Sequence, residues 1–242
     1  MQFTIKSVSK FVALALLAGS ATTALAQSAG DTVISTGWAH IAPQDSSTPL
    51  SLVSPIALTL AGTGAGVNST DTLGFATAHF FTDNIVGSLD LGVPPTYKLV
   101  GKGTLASVGQ IGKAKQWAPA ALAKYYFGNA NSTFRPMVGL GVTHVNYTNI
   151  ELTSAFQSYV QTSFGPTAMT TAKLTSAWAP VYNVGASYSL TKDWSLGFSV
   201  SYVPLKTTGN LTTTPTPLGT VHSTTSLTLN PIVAYASVGY RF

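Results

Sequence analysis

The sequence of 242 residues contains no cysteine, and only 8% of its residues are charged. Without cysteine the chain forms neither disulfides nor zinc–thiolate sites, and it has no thiol nucleophile. It also lacks any run of about 20 consecutive apolar residues, which a membrane-spanning helix requires. Hydrophobic residues nevertheless make up 45% of the chain. So few charges would leave a soluble domain poorly soluble, whereas an apolar chain without a spanning helix is typical of a β-barrel whose outer face contacts lipid.

The N-terminal segment contains the three parts of a secretory signal peptide in the expected order. Two lysines precede a short apolar run, Phe11–Gly19, and a small-x-small cleavage pattern ends at Ala26. We therefore predict a signal peptide at residues 1–26 and a single exported domain at residues 27–242. The alternative is a buried N-terminal helix, which would not need these parts in this order.

The positive charge of the sequence does not indicate nucleic-acid binding. Two of the 12 basic residues fall in the signal segment, so the exported domain is only weakly basic. Its one group of neighbouring lysines is spread through a Gly-rich segment without an RNA- or DNA-binding motif, and consists of Lys98, Lys102, Lys113 and Lys115. We therefore expect no nucleic-acid partner.

Alternation with a period of two residues is the main structural signal. From Trp194 to Tyr202 every second residue is apolar or aromatic, and the residues between them are Ser or Gly. One apolar face and one small polar face are typical of a strand between lipid and a lumen. The last segment also alternates, and its end at Phe242 resembles the C-terminal signal that the barrel assembly machinery recognises. The alternative for this segment is an edge strand of a soluble β-sandwich.

Eight segments carry this pattern, and they predict an all-β fold, an eight-stranded antiparallel up-and-down transmembrane β-barrel in the outer membrane of a Gram-negative bacterium. The predicted strands are Thr32–His40, Thr72–Phe81, Ile85–Val93, Gln116–Phe127, Phe134–Tyr147, Tyr182–Ser189, Trp194–Tyr202 and Ile232–Phe242. Short polar turns join three hairpins at the periplasmic end. Longer stretches rich in Ser, Thr, Gly and Pro are predicted to be extracellular loops, at about 41–70, 95–115, 148–176 and 206–225, and only the third is expected to hold a short helix.

Short motifs along the chain resemble those of the OmpW family of small outer-membrane proteins. They occur in matching order over nearly all of the exported domain, at Gly30–Pro43, Thr82–Ile85, Tyr126–Asn129, Phe134–Gly139, Asp193–Trp194, Leu229–Pro231 and Gly239–Phe242. The resemblance implies an eight-stranded barrel with a hydrophobic lumen that admits small hydrophobic molecules. Some relatives assist the uptake of alkanes and similar compounds.

The same resemblance indicates where the lumen of this chain differs. The family has an inner apolar constriction that includes a Leu on the third strand and a Trp on the seventh. Counting from the shared motifs puts Asp90 and Ser201 at those positions, and both face inward by alternation. A wider and more polar constriction is therefore expected here.

The inward-facing charges are the most informative polar residues. Asp90 and Lys124 face the lumen from neighbouring strands, and we expect them to pair, because an unpaired charge inside a narrow barrel is unfavourable. The pair either acts in permeation or simply plugs the barrel. Arg135 and Arg241 also face inward near the periplasmic end and are expected to close the floor. The predicted ligand-binding residues are Phe80, Asp90, Leu122, Lys124, Ser201 and Val203.

The sequence offers little material for catalysis. Of its four histidines, His40, His79 and His144 point outward by alternation, and His222 falls in a segment predicted to be a mobile loop. Glu151 is the only glutamate. We therefore predict no enzyme, no catalytic residue, no metal site and no cofactor.

Barrel size narrows the function further. An eight-stranded interior holds side chains or one small ligand, which excludes a general diffusion porin. The favoured hypothesis is passive uptake of a small hydrophobic ligand that arrives from the loop end, rests in the upper lumen and leaves sideways through the wall, because desolvated charges at the floor would oppose it. The alternative is a structural or surface-interaction barrel whose loops contact a host, a phage or lipopolysaccharide, and an enzyme is the third candidate. An apolar upper lumen would favour uptake, and a polar network filling the lumen would favour the alternative.

Overall fold

Alternating apolar and small residues fold this chain into long paired strands. The computed structural model describes residues 27–242, so the predicted signal peptide lies outside the described residues. In chain order the strands are β1 (Thr32–Ala42), β2 (Ser46–Ser47), β3 (Leu50–Ser54), β4 (Leu58–Leu60), β5 (Thr63–Val67), β6 (Thr70–Phe80), β7 (Ile85–Gly92), β8 (Thr96–Gly103), β9 (Gln110–Trp117), β10 (Ala120–Tyr126), β11 (Phe134–Leu152), β12 (Met169–Leu174), β13 (Ala177–Ser189), β14 (Trp194–Tyr202), β15 (Lys206–Thr216), β16 (Gly219–Thr228) and β17 (Ile232–Arg241). One α-helix, α1 (Ser154–Phe164), and one turn of 3-10 helix (Ala106–Val108) accompany them. Neither is long and apolar enough to cross a bilayer.

Eight of these strands form the closed antiparallel barrel that the sequence predicts. The ring consists of β1, β6, β7, β10, β11, β13, β14 and β17, and β17 pairs with β1 to close it. The two ends of the chain meet there, because the Phe242 N–H donates to the Thr32 carbonyl at 2.9 Å. A closed ring leaves no unpaired edge strand, so the backbone groups along each paired register find partners within the wall.

Side chains on the two faces of the barrel differ in size and polarity, as the alternation predicts. On β14 the outward residues Trp194, Leu196 and Phe198 are exposed, whereas Ser195 and Ser199 are buried in the lumen. Gly74 on β6 shows why small residues are needed inside. A side chain there would come within 2.7 Å of the Tyr235 ring, which crosses the lumen from β17.

Aromatic contacts mark the two membrane interfaces on the outer surface. At the periplasmic end Tyr240 contacts both Trp194 and Phe242, with ring centroids 5.0 and 4.8 Å apart. At the other end His144 packs on Trp178 at 4.6 Å and His40 stacks on Trp38 at 5.7 Å. These belts suit the headgroup regions of a bilayer. The contact of His79 with the exposed Phe81 completes the set, and the outward orientation predicted for all three histidines is confirmed.

The segments predicted to be extracellular loops are mostly strands, so that prediction is wrong for most of their length. Strands β9, β8 and β5 continue the wall above β11, and a separate sheet in the order β12, β15, β16, β3 and β4 stands beside them. Threonine explains the difference, because its β-branched side chain favours strands although its polarity resembles that of a loop. Inside this sheet the hydroxyls of Thr170 and Thr213 lie 2.8 Å apart and satisfy each other.

Two further details of the structure differ from the sequence prediction, and a third agrees with it. His222 lies in β16 opposite Thr212 and not in a mobile loop. The strand predicted at residues 116–127 is two strands, since β9 ends at Trp117 and β10 begins at Ala120. The short helix predicted in the third segment is present as α1, whose start is capped by the Thr153 hydroxyl accepting from the Phe156 N–H at 3.3 Å.

The buried core is divided between the two halves of the barrel. Near the periplasmic end, five side chains fill the lumen, namely Val33, Phe80, Val86, Tyr126 and Met137. A larger apolar cluster extends from Leu122, Val181 and Val203 in the upper lumen to Phe156 and Val160 on α1. The lower lumen is therefore solid, and the upper lumen is lined with apolar side chains.

Candidate functional site: the upper lumen and the wall beside it

A cavity of about 180 Å³ occupies the upper lumen. Its upper walls are apolar, with Ile41, Val145, Val181 and Leu205 among the lining residues. Its lower part is polar and is lined by Asp90, Ser199, Ser201 and Tyr235. The cavity is therefore apolar at its upper end and polar at its lower end along the barrel axis.

Five of the six predicted ligand-binding residues lie at this cavity or directly beside it. Asp90, Leu122, Ser201 and Val203 line it. Lys124 is buried next to it, and its Nζ lies 3.3 and 3.5 Å from the two Asp90 carboxylate oxygens, which is the ion pair that the sequence predicts. Phe80 is not among the lining residues and packs in the periplasmic half of the lumen against Tyr126.

Arg135 closes the lumen below. Its side chain is 1% exposed and donates to the carbonyl oxygens of Gln27, at 2.8 Å, and Asp83. The guanidinium carbon also lies 5.9 and 5.4 Å from the ring centroids of Phe80 and Tyr126. A cation held by backbone carbonyls and two aromatic faces needs no acidic partner.

The rim beneath Arg135 is held by a second arginine. Arg241 donates to Asp31 at 3.1 Å and lies 3.7 Å from Asp193, both at the periplasmic end. Both arginines therefore sit where alternation predicts, and the barrel has a charged and filled floor. An apolar solute would have to displace both layers to pass through it.

Three more cavities continue from the lumen toward the extracellular surface. A neck of about 20 Å³ shares Tyr97 and Leu205 with the lumen cavity. A chamber of about 80 Å³ follows and shares Leu99 and Leu227 with the neck. A surface groove of about 500 Å³ shares Phe156 of α1 with that chamber. The cavities therefore follow one another from the surface to the lumen, each sharing mainly apolar lining residues with the next.

The neck is the narrowest part of this series. Tyr97 and Tyr147 both line it. Both side chains are phenols, which are uncharged at neutral pH. A volume near 20 Å³ is about that of a single water-sized probe, so the neck side chains must move before a larger molecule can pass.

The barrel wall is interrupted beside the lumen cavity. Pairing of β7 with β10 ends at Asp90 and Ala120, and the next bond above joins the Gln116 N–H to the Pro95 carbonyl at 3.1 Å. Between these two points, no backbone hydrogen bond of the described chain joins residues 91–94 to residues 117–119. We call this interruption the wall gap.

Proline contributes to the wall gap, because Pro94 and Pro95 have no N–H to donate across it. Pro119 faces the other neighbour of β10, since its carbonyl accepts from the His144 N–H of β11 at 3.2 Å. The lumen cavity extends to the gap, since Leu91, Gly92, Val93, Pro95 and Ala118 are among its lining residues. On the outside, Leu91, Val93 and Trp117 are about half exposed and face lipid. Alternation did not reveal this feature, although the Pro94-Pro95 pair was a signal that could have revealed it.

Comparison with known proteins agrees with this architecture. The OmpW family model matches residues 28–242. Outer membrane protein W of Vibrio cholerae serotype O1 is 34% identical over 236 residues, which cover 95% of this chain and 97% of that protein. The crystal structure of the outer membrane protein OprG from Pseudomonas aeruginosa superposes with a TM-score of 0.79 at 27% identity, covering 90% of this chain and 98% of that one. A protein of Pseudomonas aeruginosa named dibenzothiophene metabolism operon protein PahQ is 28% identical over 181 residues. The match covers 75% of this chain and 76% of that protein.

Proposed function

Because the chain belongs to the OmpW family of outer-membrane barrels, we propose that it carries small hydrophobic molecules passively from outside the cell into the outer membrane, by lateral release from the barrel. The observation that carries this proposal is the apolar cavity of the upper lumen, which meets the lipid-facing surface at the wall gap. An apolar upper lumen favours uptake over a purely structural role.

The floor supports a sideways exit. Below the cavity lie the Lys124–Asp90 pair and then the buried Arg135. Moving an apolar solute through these layers would strip the charged groups of their partners without replacing them, which is unfavourable. The wall gap lies at the level of the cavity and leads to hydrocarbon, where each methylene group that leaves water gains about 0.8 kcal/mol.

The series of cavities supplies the corresponding route inward. The surface groove offers apolar side chains from α1 and from the extracellular sheet, among them Leu58, Phe156 and Tyr159. A hydrophobic molecule can leave water there and then pass the chamber and the neck to the lumen. The relative whose name refers to dibenzothiophene metabolism is consistent with an apolar compound as the ligand. The protein needs no catalytic residue for this role.

Lipopolysaccharide is the proposed neighbour of the wall above the gap. Lys98 on β8 lies directly opposite Lys113 on β9, and Lys115 follows on the same outward face, two residues above Trp117. Lys113 pairs with Glu151 at 3.0 Å, whereas Lys98 and Lys115 form no ion pair within residues 27–242. Cations at this height suit the phosphates of an anionic outer leaflet. The other proposed partner is the barrel assembly machinery, which would recognise the C-terminal Phe242.

A second candidate function is surface interaction through the extracellular sheet. Val53, Ile56, Leu58 and Leu218 are about half exposed on or beside this sheet, beyond the lipid-facing wall. Exposed apolar side chains above the membrane suit contact with another surface. Leu58 also lines the groove from which the uptake route begins, and the uptake function accounts for the lumen cavity as well.

Closing the wall gap tests the proposal. The variant Pro94→Val/Pro95→Val restores two N–H donors at the gap, and Pro166→Val, in an exposed turn after α1, is the matched control. Uptake of an apolar probe such as p-xylene by cells should fall about tenfold or more in the double variant and stay unchanged in the control. Hydrogen exchange at the new amides verifies that the ladder has closed. Full uptake through a closed ladder would exclude lateral release, and wild-type uptake equal to that of cells without the protein would exclude transport.

A further inference from the structure

We infer that the lumen cavity selects neutral molecules that carry a hydroxyl group on an apolar body, and that this hydroxyl donates to the Asp90 carboxylate. The inference rests on the proposed function, because it names the class of molecule that uses the uptake route. It follows from the chemistry of the lower end of the cavity.

The Asp90 carboxylate faces the cavity with unused acceptor capacity. Its side chain is 34% exposed, although it lies inside the barrel, whereas Lys124 beside it is 9% exposed. Within residues 27–242, Lys124 is its only hydrogen-bond partner, at 3.3 and 3.5 Å. These distances are longer than the roughly 2.8 Å of a strong charge-assisted bond. A carboxylate accepts about four hydrogen bonds, so it has room for a donor that enters from the cavity.

The surrounding layer is more polar than packing requires. Ser201 lines the cavity, and its hydroxyl oxygen accepts from Asn183 Nδ2 at 2.8 Å. The Asn183 Oδ1 and Ser88 Oγ atoms are buried and have no partner within the described chain. Ser88 faces the lumen two residues before Asp90. Neither Ser88 nor Asn183 lines the cavity, so both make this layer polar without contacting a molecule that occupies the cavity.

Charge decides which polar group fits. A carboxylate would meet Asp90, which is the accessible charge, and would be repelled. An ammonium group would lie next to Lys124 and would lose its hydration in an apolar cavity. A hydroxyl donates one hydrogen bond, stays neutral and adds no charge to the pair. The cavity therefore distinguishes a hydroxyl from a methyl group of the same size.

Cavity size limits the apolar part of the molecule. An apolar cavity of about 150 Å³ is large enough to hold benzene, and the lumen cavity measures about 180 Å³. One ring with two small substituents matches this space. p-Cresol and p-xylene are suitable probes, because they differ only by a hydroxyl in place of a methyl group.

The test measures binding of both probes to the full barrel in lipid nanodiscs by calorimetric titration. The wild-type protein should bind p-cresol about tenfold more tightly than p-xylene. 4-Methylanisole, which keeps the oxygen but lacks the donated proton, should bind like p-xylene. Equal affinity for p-cresol and 4-methylanisole would overturn the inference without any variant.

Two variants locate the effect. Asp90→Leu/Lys124→Leu removes the pair without leaving an unpaired charge, and should bind p-cresol and p-xylene within about twofold of each other. Asp71→Asn removes a carboxylate from the outer face and should keep the full preference. A preference that survives the double variant would show that Asp90 is not the acceptor. Uptake of both probes with no preference would refute only this inference, whereas uptake of neither would refute the proposed function as well.

Discussion

Single residues decide which half of the lumen is solid. Arg135 satisfies its guanidinium with the Gln27 and Asp83 carbonyls and with two aromatic faces, so a cation becomes part of a buried core. Asp90 and Lys124 instead pair at the boundary of the cavity, where one partner remains accessible. Alternation predicted that all three face inward. It could not predict that Arg135 uses carbonyls, because these carbonyls belong to the Gln27 segment and to a periplasmic turn.

The stability of the floor can be tested at Arg135. Replacing Arg135 by Ala leaves two carbonyls without a donor and opens a void between Phe80 and Tyr126, so the barrel should lose about 3 kcal/mol of stability. The urea concentration at which the compact form disappears on an unheated gel measures this loss. Arg241→Ala at the partly exposed rim is the comparison and should cost less. A loss no larger at Arg135 than at Arg241 would contradict the role given to Arg135.

Whole elements were predicted well where one face is apolar and poorly where it is not. Strand β14 alternates strictly from Trp194 to Tyr202, and its predicted bounds are those observed. Strand β15 is mostly Thr, Gly and Asn, so its sequence does not distinguish a strand from a polar loop. The break between β9 and β10 depends on Ala118-Pro119, which lie within an otherwise continuous pattern. The sequence prediction missed the wall gap for the same reason, because the pattern continues across Ala118-Pro119.

The lysine group on β8 and β9 gives a prediction for lipid binding. Lys98→Gln/Lys115→Gln removes two cations that form no ion pair within the described chain, and each should contribute about 1 kcal/mol toward an anionic headgroup. Binding of lipopolysaccharide in detergent, followed by native mass spectrometry at low salt, should therefore weaken about tenfold or more. Lys173→Gln/Lys206→Gln, at exposed positions on β12 and β15, is the matched control. Equal weakening in both pairs would indicate a general charge effect and no site on β8 and β9.

As a whole, the molecule combines a predictable ring with a site that depends on long-range packing. The family, the barrel and its location follow from alternation and from short motifs between Gly30 and Phe242. The lumen cavity depends on the distance between side chains from several strands, such as Leu122, Val181 and Ile41. Alternation predicted that Leu122, Ser201 and Val203 face the lumen, but it could not give their position along the barrel axis. Phe80 therefore lies below the cavity although it faces inward.

Closure of the whole ring depends on the C-terminal strand, which gives a prediction for assembly. Phe242 is 71% exposed and its backbone bonds to Thr32. Phe242→Ser keeps these backbone bonds and removes only the aromatic ring, so it should lower the amount of folded barrel in the outer membrane several-fold while export continues. Phe81→Ser, at another exposed aromatic at the periplasmic end, is the control. Normal outer-membrane levels of the Phe242 variant in cell fractions would show that the ring is not part of the assembly signal.

In the proposed lateral release, the wall gap determines how the rate responds to temperature. Opening a gap in a complete ladder would require backbone hydrogen bonds to break in lipid, where nothing replaces them, and release would have a large activation enthalpy. Pro94 and Pro95 lack the N–H groups that would form such bonds across the gap. A molecule that leaves the lumen there would meet side chains such as Leu91 and Val93. We therefore expect release to be limited by the movement of side chains and lipid tails, so that its rate changes little on cooling. Molecules should pass the gap in both directions, with the concentration gradient alone setting the net flow.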